Sequence, residues 1–518
     1  MQETHMHPIE LPRQYNAASD LLTRNLKHAH KVAYIDAVKG SQLTYGELHQ
    51  QAHQFASAIL AQGIVPESRV MVCMLDTPQW PVVFLGCILA GVIPVATNTL
   101  LTPKEFEYML RDSRAKALIV SQALLSAFEA LIGKLPDLKQ VIVADAPSNT
   151  THLSLDSLIA QATPIQQIAD TSPDDMCFWL YSSGSTGSPK GTVHLHSHLI
   201  QTAELYGKGV LGIQESDVVY SAAKLFFAYG LGNALTFPMS VGATTLLLPV
   251  RPTPQEVFRI LTQYQPTIFY GVPTLFASLL ADDKRPAQSD LNLRICTSAG
   301  EALPAEIGKK WTAEYGCEIL DGIGSTEMLH IFLSNRAGQV RYGTTGKAVP
   351  GYALRIVNEE GHVCGDNELG ELQIKGPSAA LMYWNNREKT KSTFAGEWTR
   401  SGDKYVRDSE GFYTYGGRSD DMLKVGGIYV SPFEVEASIM THPAVLEVAV
   451  VGLADTDQLI KPKAFVVLKA GQSMREDDIK QHVKSQLAPY KYPRWVEFVT
   501  ELPKTATGKI QRFKLRSS

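Results

Sequence analysis

Short, wholly apolar runs alternate with helix-length amphipathic segments through most of this chain, and that rhythm limits the folds open to it. Residues 68–75, 117–120, 138–144, 218–223, 243–248 and 266–270 read as buried strands. Segments 102–112, 254–264 and 273–282 between them have helical length and pattern. Residues 43–62 form an amphipathic helix opened by Thr44, with Glu47 three residues on as a capping box. The alternation predicts an α/β fold of layered helices and mainly parallel sheets. At 518 residues the chain exceeds one core and should divide into roughly two to four folding units. Near residue 418 the character changes. Residues 445–452, a helical run 476–487 and short strands near 463–468 and 496–499 suit a small α+β domain. The expected division is a large N-terminal domain of layered α/β subdomains, 1–419, and a small mobile C-terminal domain, 420–518. The stretch GGRSDDMLKVGG would be the hinge between them.

Composition excludes several classes. The net charge is −4 and no basic block occurs, so nucleic acid is not an expected partner. The cysteines Cys73, Cys87, Cys177, Cys296, Cys317 and Cys364 are scattered, with no CxxC pair. Neither a zinc site nor a disulfide framework is indicated, which fits a reducing cytoplasm. The N-terminus is polar, without a signal-peptide core. The longest uncharged apolar run, 81–96, is interrupted by Gly91 and Pro94, and a membrane helix needs roughly 20 residues. A buried helix leading into a buried strand explains it, so no membrane is expected.

One segment speaks to chemistry. Residues 181–191 read YSSGSTGSPKG and follow the apolar run 176–180. Small residues let a backbone approach a bulky ligand, and serine and threonine add donors, so the loop suits a polyphosphate. It is not a Walker A loop, because Pro189 stands where that motif has glycine before its lysine. Pro189 also disfavours helix at Ser188. A flexible Ser/Gly linker is the bland alternative, but linkers rarely sit between two apolar runs.

YSSGSTGSPKG closely resembles the phosphate loop of acyl-adenylate-forming enzymes: acyl-CoA synthetases, peptide-synthetase adenylation domains and luciferases. The resemblance implies nucleotide contacts from Ser182, Ser183, Gly184, Ser185, Thr186, Gly187 and Lys190. Further segments resemble the family in the family's order. DGIGSTE, 321–327, implies Thr326 on the α-phosphate and Glu327 on Mg²⁺, a hard oxygen ligand beside a hydroxyl. Read without the family, it is a glycine-rich turn before a helix N-terminus. The family usually has an aromatic residue where this chain has Ile323. Adenine would then lie on Ile323 and on the backbone of Ala299, Gly300 and Glu301 in TSAGEALP, with Asp321 and Gly322 alongside. WTRSGDKY, 398–405, implies that Asp403 holds the ribose hydroxyls, as a carboxylate accepting from a vicinal diol can. In GGRSDDMLKVGG, Arg418 and Lys424 match nucleotide-contacting positions, Asp420 the hinge, and Gly427 the glycine lining the pantetheine channel of CoA ligases. PKTATGKIQR, 503–512, implies that Lys509 enters the site for adenylation. On its own, Lys509 would be an ordinary solvated lysine. The ligands implied are ATP, Mg²⁺ and CoA.

KLFFAYGLGN and STEMLHIF resemble the benzoate-CoA ligase branch in particular. This names Phe227, Ala228, Tyr229, Gly324, His330 and Ile331 as the walls of a pocket for a small aromatic carboxylate. Aromatic walls with small residues between them suit a flat ring. The other reading of these residues is a core helix and strand, and of His330 a satisfied core histidine. HLHSH, 194–198, invites a metal reading because alternate strand positions share a face, but no acidic or cysteine ligand is nearby. Other readings stay open: a medium-chain acyl-CoA ligase, an aryl-acid enzyme loading a carrier protein, or a carboxylate and nucleotide sensor. A homodimer and a lysine acetyltransferase acting on Lys509 are the further partners the resemblance admits.

Overall fold

A computed structural model describes residues 8–184, 187–419, 421–425, 428–455, 460–487, 491–504 and 510–516. Two large sheets dominate. The first, nine-stranded, runs Lys347–Ala348, Ile331–Ser334, Ile319–Gly324, Ile295–Ser298, Ile268–Gly271, Val218–Ser221, Thr244–Leu247, Val32–Asp36, Gln42–Thr44. From Ile319–Gly324 through Val32–Asp36 its strands pair parallel. The second, eight-stranded, runs Met382–Tyr383, Gly187–Leu195, Met176–Gly184, Ile93–Ala96, Arg69–Cys73, Ala117–Ser121, Gln140–Ala144, Leu153–Ser154. Parallel strands need cover on both faces, and Ile268–Gly271 and Ile93–Ala96 are buried at every position. This is the layered α/β architecture the alternation predicts.

The helices form where their caps predict. Tyr45–Ala61 opens on the reciprocal Thr44–Glu47 capping box. It crosses Gln79–Leu89 at Gly86, where a Cβ would lie 2.8 Å from the Ala52 carbonyl oxygen and from the Phe55 ring. A side chain there would force the helices apart. Gln79–Leu89 is buried from Trp80 to Leu89 and leads through Gly91 (φ 70°) into Ile93–Ala96. The apolar run is thus a core helix and strand. Among the described residues no helix is long and apolar enough to cross a membrane.

Beyond these sheets, Ala353–Val357, Gly370–Lys375, Trp398–Arg407 and Phe394–Ala395 form a sheet to which Tyr413–Arg418 adds. A hairpin, Leu423–Val425 with Ile428–Val430, follows. Val445–Ala454, Ile460–Leu468 and Trp495–Phe498 then make a three-stranded sheet, packed with helices Pro432–Met440 and Glu476–Gln486. Val435, Ile439, Val448, Val450, Val466, Ile479 and Val483 form its own apolar core.

Candidate nucleotide and carboxylate site

The segment Ala299, Gly300, Glu301 follows the carboxyl end of parallel strand Ile295–Ser298, where open α/β sheets bind ligands. The segment resembling a phosphate loop departs from the expected loop. It is a β-hairpin: Met176–Gly184 pairs antiparallel with Gly187–Leu195, Ser182 opposite Lys190 and Gly184 opposite Gly187. Ser183 lies on the first strand; Ser185 and Thr186 lie outside the described residues. Lys190 Nζ sits 4.7 Å from the Tyr383 ring centroid. Tyr383 in turn donates its hydroxyl to Glu327 Oε1 at 2.7 Å. Burial lowers the Lys190 pKa, Glu327 opposes that shift, and Lys389 and Arg418 add to it. One lysine, one tyrosine and one carboxylate from three separate segments thus converge.

DGIGSTE is a strand for longer than expected. Ile319–Gly324 continues through both glycines and pairs antiparallel with Ile331–Ser334. The glycines serve close strand approach. A Cβ at Gly322 would stand 3.0 Å from Ile331, and one at Gly324 would stand 2.6 Å from the His330 backbone. Only Ser325 to His330 turn, with Leu329 in the left-handed region at φ 65°, and no helix begins there. Ala380 N–H donates to the Glu327 carbonyl at 2.7 Å, and Ser378 Oγ donates to that of Met328 at 2.7 Å. Asp321 is buried; burial holds its carboxyl well above the usual range, the Leu303 amide opposes this, and its Oδ1 has no partner among the described residues. A buried acceptor without a partner is one a nucleotide base amine could satisfy. The segment Ala299, Gly300, Glu301 follows strand Ile295–Ser298, next to Asp321 in register. Gly300 adopts φ 95°, which favours glycine. Ile323 is half-buried in the same strand as Asp321.

The histidines of HLHSH do not share a strand face, because the strand ends at Leu195 and His196 begins a helix. His194 Nε2 lies 2.8 Å from the Thr326 carbonyl. A carbonyl only accepts, so Nε2 carries the hydrogen. Its other ring nitrogen, Nδ1, lies 3.0 Å from Nδ1 of His198, which is also 3.3 Å from the Leu195 amide. His194 therefore supports Thr326, a role its sequence position did not suggest.

Asp403 and Arg418 face each other in register, with the guanidinium 3.2 Å from Asp403 Oδ1. The Asp403 amide also donates to Ser401 Oγ at 3.0 Å. Lys424 lies on Leu423–Val425 opposite Tyr429. Asp420, Gly427 and Lys509 lie outside the described residues. Ile510, the neighbour of Lys509, donates its amide to Glu301 Oε1 at 2.9 Å.

A ring of aromatics surrounds His330. Ring centroids of Phe237, Tyr206 and Tyr229 lie 4.5, 5.3 and 5.6 Å from it. His330 Nε2 is 3.2 Å from both the Tyr229 carbonyl and Asn233 Oδ1. Both are acceptors, so Nε2 donates and Nδ1 carries no hydrogen; Nδ1 is buried without a partner among the described residues. Tyr229 Oη and Thr297 Oγ1 share a hydrogen bond of 2.5 Å. Ala228 is buried at the start of a short helix, Ala228–Leu231, with Phe227 as its N-cap. Ile331 is buried opposite Gly324. Gly324 ends the strand that carries Asp321, Ile331 pairs with it, and Tyr229 packs on His330 in the turn between them, with Ala228 and Phe227 next to Tyr229 in the chain. Sequence reasoning missed Tyr206, Phe237, Asn233, Thr297 and Tyr383. The helical spacing of Gly232, Asn233 and Phe237 behind Tyr229 was the one signal that could have found some of them.

Burial lowers the pKa of His194 and His196 to about 4 and that of His330 to about 3. These lie below the ordinary 6.5, so the stability they contribute is present above about pH 6.5 and is lost as pH falls through the folded values. The melting temperature is expected to fall between about pH 7 and about pH 5. His196→Asn, which keeps an acceptor for the Ala17 amide now 3.1 Å from His196 Nδ1, should flatten that slope. An unchanged slope in calorimetry would show that His196 titrates normally.

Residues 22–384 match the family described as AMP-binding enzyme, and residues 434–509 match the AMP-binding enzyme C-terminal domain. The chain is 59% identical to a benzoate–CoA ligase of Thauera aromatica, over 98% of this chain and 97% of that protein. Among solved structures it resembles a benzoate CoA ligase from Burkholderia xenovorans, with TM-score 0.91 and 56% identity over 97% and 100% of the two chains. It also resembles an anthranilate CoA ligase in complex with anthranoyl-AMP, with TM-score 0.95 and 44% identity over 99% and 98%.

Proposed function

We propose a reaction from one premise: the chain belongs to the AMP-binding enzyme family. It activates a small aromatic carboxylate, benzoate or a substituted benzoate, with ATP and passes the acyl group to CoA. One observation carries this reading. A single strand-turn-strand unit, Ile319–Gly324 to Ile331–Ser334, holds Asp321, Thr326 and Glu327 and also Gly324, His330 and Ile331. A ring seated among the His330 aromatics would therefore have its carboxylate close to a nucleotide α-phosphate at Thr326.

In the first half-reaction a carboxylate oxygen attacks the α-phosphorus and pyrophosphate leaves. Asp403 and Arg418 hold the ribose, Asp321 accepts from the base, and Lys190 with the hairpin tip holds the outer phosphates. Thr326, braced by His194, meets the α-phosphate. Lys509 meets the negative charge that grows there. Glu327 is a hard-oxygen donor at a half-buried position, already fixed by Tyr383, and that fits Mg²⁺. Bound there, the ion would neutralise phosphate charge. In the second half-reaction the CoA sulfur attacks the acyl carbon and AMP leaves. The C-terminal region, 420–518, turns about Asp420 against 1–419 so that Lys509 withdraws and Gly427 lines the thiol channel. Acetylation of Lys509 would remove its charge and stop adenylation. The chain works in the cytoplasm, and a homodimer is the assembly we propose.

Pyrophosphate release with ATP across a carboxylate panel, with and without CoA, tests the reaction. Turnover with benzoate that yields the thioester only with CoA is expected; no turnover with any acid would favour a sensor. Amino- or hydroxybenzoates are a second reading, favoured by the bare, buried Nδ1 of His330, which a ring N–H or O–H could satisfy; the same panel ranks them. Ile331→Ala removes a buried wall. It should raise kcat/KM for bulkier ring-substituted benzoates about tenfold relative to benzoate, since one or two methylenes in a pocket are worth about that much. An unchanged substrate ranking would show that Ile331 does not line the pocket.

A further inference from the structure

The hydrogen bond from the Ile510 amide to Glu301 Oε1, 2.9 Å long, joins residues separated by 209 positions. Glu301 follows strand Ile295–Ser298 of the nine-stranded sheet, in the segment whose backbone is expected at adenine. Ile510 immediately follows Lys509 and sits among contacts that tie it to the small domain. The Gln511 amide donates to the Pro503 carbonyl at 2.8 Å, and Lys504 pairs with Ile510 in an antiparallel bridge. Lys504 Nζ reaches both oxygens of Glu447, at 2.6 and 2.8 Å. Arg512 makes a buried ion pair with Glu436 at 2.9 Å and covers the Phe433 ring at 4.3 Å. The base of the Lys509 segment is thus anchored in its own domain, and Ile510 carries an amide donor across to the other.

We propose that the Glu301 carboxylate is a docking acceptor that positions the Lys509 segment for adenylation and releases it for thioester formation. Glu301 touches no reacting atom in this scheme; it acts through the chain that bears Lys509. A carboxylate accepting a backbone N–H makes a charge-assisted bond. The bond spans the expected hinge, so it must break whenever the small domain turns. Its strength therefore biases the enzyme towards one half-reaction. The inference rests on the reading of Lys509 as the adenylating cation.

The test compares Glu301→Ala, Glu301→Gln and Lys509→Ala with the parent full-length enzyme. ATP–pyrophosphate exchange with benzoate reports the first half-reaction, and CoA attack on supplied benzoyl-adenylate reports the second. Glu301→Ala should lower the ratio of adenylation to thioester formation about tenfold, with the KM for ATP moving less than about twofold. Glu301→Gln, which still offers an amide oxygen, should recover most of the ratio. Equal losses in both half-reactions, a raised KM for ATP as the sole effect, or no rescue by glutamine would overturn the proposal. Full adenylation by Lys509→Ala would sink the underlying reading and this inference together. Collapse of adenylation in Lys509→Ala with a normal ratio in Glu301→Ala would sink the inference alone. Melting curves on each variant identify one that has merely unfolded, and Glu301→Ser then takes its place.

Discussion

Lys509→Ala is expected to lower adenylation about a thousandfold while leaving CoA attack on a supplied acyl-adenylate near its normal rate. Carboxylate attack concentrates negative charge on the α-phosphate oxygens. One cation at 4 Å, with an effective dielectric near 20, is worth about 4 kcal/mol before desolvation costs. That converts to about a thousandfold in rate. A lysine ammonium suits the task as a compact point charge. The other cation candidate, Lys190, stands in a different place: it is half-buried, against the Tyr383 ring, in a hairpin of the large region. Its position suits the outer phosphates, so Lys190→Ala should cost about tenfold in the same step. ATP–pyrophosphate exchange and single-turnover thioester formation, measured on both variants, decide the matter. Equal damage to both half-reactions by Lys509→Ala would refute the assignment, as would a larger adenylation defect in Lys190→Ala.

Gly427→Leu should do the reverse, sparing ATP–pyrophosphate exchange and abolishing thioester formation. The strands on either side, Leu423–Val425 and Ile428–Val430, pair with Val425 opposite Ile428, and Leu423, Val425 and Val430 enter the small domain's core. The hairpin is thereby fixed to a body that has its own apolar support. A glycine lining a channel for a pantetheine arm leaves room that a leucine would fill, and the thiol would no longer reach the acyl carbon. In the proposed scheme the adenylation step does not use that channel. Benzoyl-adenylate should therefore accumulate on the variant, visible as a burst of pyrophosphate without thioester. A variant that loses both activities, or forms thioester normally, would remove Gly427 from the channel.

Much of the fold was legible because its local signals agreed. The helix Pro254–Tyr264 occupies the very residues its pattern predicts, with Thr253 as N-cap and proline at its first turn. The apolar run 81–96 reads as a core helix and strand and forms them, as Gln79–Leu89 and Ile93–Ala96. DGIGSTE misled for a definite reason. Glycines ordinarily mark turns, yet here Gly322 and Gly324 let Ile331 and the His330 backbone approach. That need is set by a partner strand, which no local pattern announces. HLHSH misled in the same way. The alternation suggested a strand face, but the strand stops at Leu195 and only His194 turns towards Thr326.

The sequence by itself determined the fold class, the family motifs and the residue types that ATP, Mg²⁺, CoA and an aryl acid require. These rest on periodicity, turn chemistry and short strings of residues, which are local properties. Tertiary structure alone decided which groups meet. Tyr383 holds Glu327, His194 braces Thr326, Tyr206 and Phe237 enclose His330, and Glu301 takes the amide of Ile510. Each of these joins segments far apart in the chain, and only the packing of the sheets sets those distances.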